Sequence, residues 1–407
     1  MPPSTSHQDG PLVVAPQTQS ERDQLSKAFE DDYLRRRASV IELPEADKLA
    51  NIPKKILDVS ALLNEGAQAI VDDSFTKCFK STPSEPWNWN IYLFPLWCGG
   101  VLIRYLILFP LRLALLLGLF LLFFIFFFSV SVFVWPKSFK RSLQQWSIRK
   151  MCGVFVLSWT GVVKYHGARP TSGPNKVFVA NHTSMIDFII LQQMCGHAAI
   201  MQKHGGWVGF LQSYVLEAIG CIQFNRTDMK ERHTVAARLK EHVTTHDSPL
   251  LVFPEGTCVN NEFCVMFKKG AFELGVPVHP IAIKYNKIFV DAFWNSKKHS
   301  FTQHLFALMT SWAVVCDVWY LAPQEKRADE DSSEFAERVQ HMICRRAGLT
   351  RVEWDGMLKY YRPRPALTVQ RQQAFAKEVK TLLEATNGPA TSGNSGRAQG
   401  LTHRGGR

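Results

Sequence analysis

No CxxC pair and no metal-ligand spacing occurs among the nine cysteines, which argues against a zinc centre. An odd, dispersed set of thiols also argues against a disulfide framework and fits a reducing, cytosolic setting. The first 25 or so residues hold Pro, Ser and Gln but no apolar run, so they read as a disordered tail and not as a signal peptide. The last residue is Arg, with no KDEL-type ending. No internal repeat is found. Acidic residues are in short supply: 35 Asp and Glu face 47 Lys and Arg, a net charge of +12. That imbalance points to an anionic partner, whether nucleic acid, a membrane surface or a phosphorylated substrate.

What is present begins with a hydrophobic block. From Leu113 to Trp135 the chain reads LALLLGLFLLFFIFFFSVSVFVW, 23 residues without a charge. As a helix this run is long enough to cross a hydrocarbon core of ~30 Å. It favours a membrane or a lipid-borne substrate over nucleic acid. Upstream, Ile91 to Pro110 is nearly as apolar, with Arg104 as its one charge. Two readings stand side by side here. One is an interfacial segment whose arginine snorkels; the other is a second pass, forming a hairpin that breaks near Pro110 and Arg112. Lys137, Lys140, Arg141, Arg149 and Lys150 follow, and positive charge flanking a span marks the cytosolic side. CGVFVLSWTGVV, Cys152 to Val163, is too short to span; it rests on the membrane or packs in a core. Near the start, LRRRASV places three arginines before Ser39, which fits either a basophilic kinase site or a solvated charge run.

Past Lys176 short Val- and Ile-rich runs alternate with helical stretches. Strands are expected at Val177 to Ala180, Ala198 to Gln202, Ala218 to Gln223, Leu250 to Phe253, Val278 to Lys284 and Val314 to Leu321. Helices are expected at Ser184 to Met194, Met229 to Thr244, Lys268 to Leu274 and Ser333 to Ala347. The alternation predicts an α/β fold with a largely parallel sheet flanked by helices, behind an N-terminal helical membrane anchor. The Gly- and Ser-rich basic tail after Ala385 reads as disordered.

VFVANHTSMIDFIILQQ, from Val177 to Gln193, wraps a polar knot in apolar residues. His182 falls in a strand-to-helix turn, and Asp187 falls in the first helical turn, close enough to return to it. A carboxylate on one ring nitrogen leaves the other free to accept a proton from a hydroxyl. If the substrate supplies that hydroxyl, no Ser or Cys nucleophile is required. A structural alternative is a capping box, with Ser184 as N-cap and Asp187 at the third helical position. Three further segments bear on the choice. GCIQFNRTD runs from a strand into Arg226. VFPEGTCVN empties a strand into a tight turn at Glu255, Gly256 and Thr257, with Lys268 and Lys269 beyond, an arrangement suited to phosphate. VPVHPIAIKY carries Pro280 near a strand entrance.

In this order the four blocks resemble the glycerolipid acyltransferase superfamily, whose signature begins with His-x4-Asp. PWNWNIYLFPLWCGG, FPEGTCVNNEFCVMFKKGAFELG and TSWAVVCDVWYLAP are more specifically similar to the endoplasmic-reticulum glycerol-3-phosphate acyltransferases, type 9 of plants and types 3 and 4 of animals. The similarity covers roughly residues 86 to 364. It implies acyl transfer from acyl-CoA, a co-substrate, to the sn-1 hydroxyl of glycerol 3-phosphate, with no metal or redox cofactor. It also implies His182 as general base oriented by Asp187. Arg226, Glu255, Gly256 and Thr257 would hold the acceptor, with Lys268 beside them, and Pro280 would lie on the acyl-donor side. Cys258 departs from the Arg that many lysophosphatidate acyltransferases carry there. The expected division is a tail at 1–30, a cytosolic region at 31–86, a membrane anchor at 87–136, an acyltransferase domain at 137–365, and a helix and tail at 366–407. The expected location is the endoplasmic reticulum membrane, with the site facing the cytosol. A lysophospholipid acceptor is the near alternative; a non-catalytic membrane scaffold is the distant one, and it does not require the intact His-x4-Asp.

Overall fold

The computed structural model describes residues 60–81, 90–224 and 229–386. Ser39, Asn225 and Arg226 lie outside them. After helix α1 (Ser60–Lys77), one unbroken helical rod runs from Phe94 to Phe133. It comprises α2 (Phe94–Leu102), a π-helical stretch (Ile103–Leu108) and α3 (Phe109–Phe133). Of the two readings of Ile91 to Pro110, the one with a hairpin break near Pro110 is not what the structure has. Proline lacks an N–H and its ring crowds the preceding turn. The π register accommodates both: Phe109 N–H reaches back five residues to Arg104 O, and Pro110 enters at the start of the next α-helical stretch.

The inner stripe of α3 is Arg112, Leu116, Phe123, Phe127 and Val130, buried along its whole length. Its other side shows Leu111, Leu117, Leu121, Leu122, Ile125 and Val132 to the surroundings. A helix that is apolar all round suits a non-aqueous neighbour on its outer face. Arg112 is buried. It donates to the carbonyls of Met309 (2.7 Å), Ser311 (2.6 Å) and Trp312 (2.8 Å), and to the Thr160 hydroxyl, tying the rod to the folded domain. Arg104 lies over the Trp312 ring, 5.7 Å from its centroid.

Helix α4 (Lys137–Ser158) turns back along α3 and packs against it. The apolar piece expected at Cys152 to Val163 is split: its first half ends α4, and its second half opens strand β1 (Gly161–Gly167). The chain then forms β2 (Val177–Ala180), α5 (Ile186–Gln192), β3 (Ala198–Gln202), α6 (Gly206–Leu211), β4 (Ile222–Phe224), α7 (Met229–Thr245) and β5 (Leu250–Val252). The strand expected from Ala218 starts later, because Glu217–Ile219 form a 3-10 turn. Next come β6 (Phe263–Cys264), β7 (Val278–Asn286), α8 (Phe301–Met309), β8 (Val314–Tyr320), α9 (Ser332–Ala347), β9 (Thr350–Arg351) and α10 (Pro365–Thr386). The expected Lys268 to Leu274 helix is a 3-10 turn, Lys269–Glu273.

Seven strands form one sheet in the order β1-β8-β7-β2-β5-β3-β4. All pairs are parallel except β7 with β8. One face is covered by α3, α4, α5 and α8 through Phe127, Phe155, Ile190 and Leu308. Helix α9 covers the other through Phe335, Val339 and Ile343. Buried strands such as VFVA in β2, with no exposed position, are what a sheet sandwiched between helix layers requires. The parallel strands β2 and β5 lie side by side and end together. Loops leaving such carboxyl ends are where an open α/β sheet places its site.

Candidate active site

Asn181 follows β2 and clamps it to β7. Its side chain donates to Ile283 O (2.9 Å) and accepts from Ile283 N–H (2.8 Å). His182 comes next, held on every side. Its backbone N–H donates to Glu255 Oε1 (2.8 Å), and its carbonyl accepts from Val259 N–H (2.8 Å). Its ring stacks on Phe253 with centroids 4.3 Å apart. Nδ1 lies 2.9 Å from Asp187 Oδ2.

Asp187 is fully buried. The same Oδ2 accepts from the backbone N–H groups of Thr183 (2.7 Å) and Ser184 (2.9 Å). Oδ1 accepts from the Tyr285 hydroxyl. The capping-box alternative is therefore half realised: Asp187 accepts from Ser184 N–H, but α5 starts at Ile186 and Ser184 Oγ goes 3.0 Å to His304 Nε2. A carboxylate fed by two amides and a phenol is a rigid acceptor. It takes Nδ1–H and leaves Nε2 as the basic nitrogen.

Nε2 faces Cys258 Sγ at 3.3 Å. Burial pushes the imidazole pKa down, but the Cys258 sulfur and Asp187 outweigh that and raise it to about 10. The ring thus has high proton affinity, and the thiol sits where a substrate hydroxyl would approach.

The Pro-Glu-Gly-Thr turn follows β5. Glu255, expected on the acceptor, points inward at 1% exposure. One oxygen takes His182 N–H and the other takes Val265 N–H at 3.2 Å. Burial pushes its pKa up to about 8, against these two donors. Gly256 has φ +67°, a left-handed conformation that glycine adopts without strain. Lys268 lies over this turn: a Cβ on Gly256 would sit 3.4 Å from its Nζ. The Lys268 ammonium is 3.7 Å from Asp355. Thr257 is buried, backed by Gly356, where a Cβ would stand 2.7 Å from Glu255 O and from Thr257 Cγ2. Pro280 lies inside β7 opposite Val179, three residues before the Asn181 clamp.

His182, Asp187, Glu255, Gly256, Thr257 and Lys268 therefore share one neighbourhood, and Pro280 belongs to the sheet behind it. Tyr285, Asn181 and Lys359 join the site without having been expected there from their sequence context. Lys359 is 2% exposed and donates to Cys258 O at 3.0 Å. The available signal for Tyr285 was its place in an apolar strand that ends with a polar ring.

Residues 162–284 match the family model described as Acyltransferase. Human glycerol-3-phosphate acyltransferase 4 is 40% identical over 348 residues, covering 81% of this chain and 75% of that protein. Human glycerol-3-phosphate acyltransferase 3 is 38% identical over 346 residues, covering 80% and 77%. A crystal structure of the 1-acyl-sn-glycerophosphate acyltransferase from Thermotoga maritima aligns with 58% of this chain and 96% of its own at 16% identity and a TM-score of 0.42, too slight a likeness to argue from. The extended similarity to the human enzymes makes this chain a member of the glycerol-3-phosphate acyltransferase 3 and 4 family.

Proposed function

We propose that the chain transfers an acyl group from acyl-CoA to the sn-1 hydroxyl of glycerol 3-phosphate, giving lysophosphatidic acid. The observation that carries this reading is the His182–Asp187 pair, which presents Nε2 at the strand ends in a member of a family named for that reaction. Once the acceptor hydroxyl displaces the Cys258 thiol from Nε2, His182 takes its proton. The alkoxide oxygen attacks the thioester carbon, the C–S bond breaks, and the imidazolium returns a proton to the departing coenzyme A thiolate. Asp187 holds the ring and its tautomer throughout.

Acceptor contacts fall to Arg226 and to Gly256, Thr257 and Lys268, the last three at the turn that follows β5. Glu255 acts through the His182 backbone, as a positioning residue. Pro280 acts through the packing of β7, on the acyl-donor side. The outer face of α2 and α3 attaches the enzyme to the endoplasmic reticulum membrane, with the site facing the cytosol. There the lipid donor and the soluble dianion meet.

The test is a purified enzyme given one acyl-CoA with glycerol 3-phosphate, lysophosphatidate or lysophosphatidylcholine. Turnover is expected with the first and at least about tenfold less with the others, a discrimination of ~1.4 kcal/mol. Preference for a lysophospholipid overturns the acceptor assignment, and full turnover in His182→Ala overturns the mechanism.

A further inference from the structure

Where the apolar rod ends, the chain turns basic, and that segment forms one wall of a cavity of about 420 Å³. Lys137, Lys140, Arg141 and Gln144 contribute from the first turns of α4, Glu217 from the 3-10 turn before β4, and His246 from the end of α7. The proposed reaction uses none of them.

Three cations face one carboxylate in this cavity. Among the described residues neither Lys137 nor Arg141 is in an ion pair. Arg141 Nε is buried with no hydrogen-bond partner, so one edge of its guanidinium lacks an acceptor. Arg141 also lines the cavity, and the planar fork of a guanidinium suits a phosphate. Burial and the Arg141 charge both lower the His246 pKa, so that ring offers a neutral hydrogen-bonding edge.

The cavity is tied to the apolar helix. Lys140 Nζ donates to Ser131 O, and Gln144 Nε2 donates to Ser131 Oγ at 2.9 Å. Lys137 follows two residues after Trp135, which is 87% exposed, and Phe133 and Phe139 in the same segment are exposed as well. Exposed aromatics beside a cationic recess are the arrangement expected at the headgroup level of a bilayer. A site for free phosphate has no need of them.

We propose that this recess binds the phosphate of an anionic phospholipid headgroup, with Lys137 and Arg141 as its principal contacts. The proposal rests on the membrane attachment inferred above and fixes which part of the domain meets the headgroups. Each basic side chain near an anionic surface contributes roughly fivefold in affinity, so the pair should contribute ten- to thirtyfold.

The test is flotation of purified enzyme with phosphatidylcholine vesicles and with phosphatidylcholine vesicles containing phosphatidate. Wild type should gain affinity on phosphatidate by that factor. Lys137→Ala/Arg141→Ala should lose most of the gain yet bind phosphatidylcholine vesicles as wild type does. Arg141→Gln is the milder variant should the double one melt early. The control, Arg149→Ala/Lys150→Ala, removes two exposed charges from the same helix and should lose less than threefold. Equal loss in both double variants would mean diffuse surface charge and overturn the recess; so would no gain in wild type. Inorganic phosphate at constant ionic strength should leave flotation unchanged, and release of the protein by it would assign the recess to a soluble phosphate. Failure on phosphatidylcholine alone, with the phosphatidate gain intact, would refute the apolar attachment but not the recess. Acyl transfer in detergent should be unchanged in all variants.

Discussion

Cys258 Sγ and His182 Nε2 lie 3.3 Å apart, the sulfur facing the ring nitrogen that Asp187 leaves free. The relationship joins two loops of the sheet edge into one proton-holding unit. It puts the sulfur where it bears on the protonation of the ring.

The protonation of His182 provides a first test. The imidazole pKa is raised above its unfolded value, to about 10, with Cys258 as a leading cause. The stabilisation that goes with this is therefore fully present below the unfolded value and is lost as pH rises through about 10. Cys258→Ala removes a group that favours imidazolium, so the basic form becomes available at lower pH. The rising limb of kcat/KM should move to lower pH. A pH profile of the free enzyme checks it; a limb that stays in place separates Cys258 from the base.

Tyr285 provides a second test. Its hydroxyl is the donor to Asp187 Oδ1, inside a fully buried site. Tyr285→Phe keeps the ring and strips the bond from a charged acceptor, a loss of about 1.5–3 kcal/mol. If that loss falls on orientation of His182, kcat should drop roughly ten- to a hundredfold with both KM values little changed. A purely structural role predicts a lower melting temperature with kcat preserved.

Glu255 separates contact from positioning. Its pKa is raised by burial to about 8, so the folded protein holds the proton more tightly than the unfolded chain does between about 4.5 and 8. Folding stability from this group therefore falls as pH rises across that interval. Glu255→Gln has no such titration, but it sets an amide N–H₂ against Val265 N–H and loses about 1–3 kcal/mol. The stability gap between wild type and variant should narrow from pH 6 to pH 9, as thermal melts will show. In kinetics the variant should lose kcat and keep its KM for glycerol 3-phosphate. A raised acceptor KM alone would return Glu255 to the substrate.

The local half of the site was legible because its chemistry is local. His182 and Asp187 are five residues apart, and the turn between them supplies its own amides. Alternating Val- and Ile-rich runs gave the parallel sheet for the same reason. What escaped was long-range. Cys258 is 76 residues from His182, and Tyr285 is 98 from Asp187; they meet only because β2 lies between β5 and β7. Strand order is not written in any single window. Glu255 read as a ligand because a turn of Pro-Glu-Gly-Thr looks exposed, and only the neighbouring backbone shows that its carboxylate turns inward. A break near Pro110 stood as one of two readings because proline disrupts a regular α-helix; a π turn just before it removes the conflict.

Arg112 gives the last prediction. Its guanidinium satisfies three backbone carbonyls at the end of α8 and the start of the β8 approach, and it is 6% exposed. It is a polar fastening in a largely apolar contact between rod and domain, far along the rod from the Lys140 and Gln144 bonds to Ser131. Arg112→Met keeps the length and apolar stem but leaves those carbonyls without a donor. Bonds to a charged donor contribute about 1.5–3 kcal/mol each and do not sum fully, so a loss of about 3 kcal/mol is expected. Arg112→Lys should recover at most part, since an ammonium lacks the planar fork. His182 and its partners lie on other elements, so turnover in detergent at low temperature should stay within about threefold. Hydrogen exchange should quicken at 109–116 and 305–312 and nowhere near 181–187. Unchanged exchange at both segments, with an unchanged melting temperature, would show that Leu116, Phe123 and Phe127 hold the rod without the arginine.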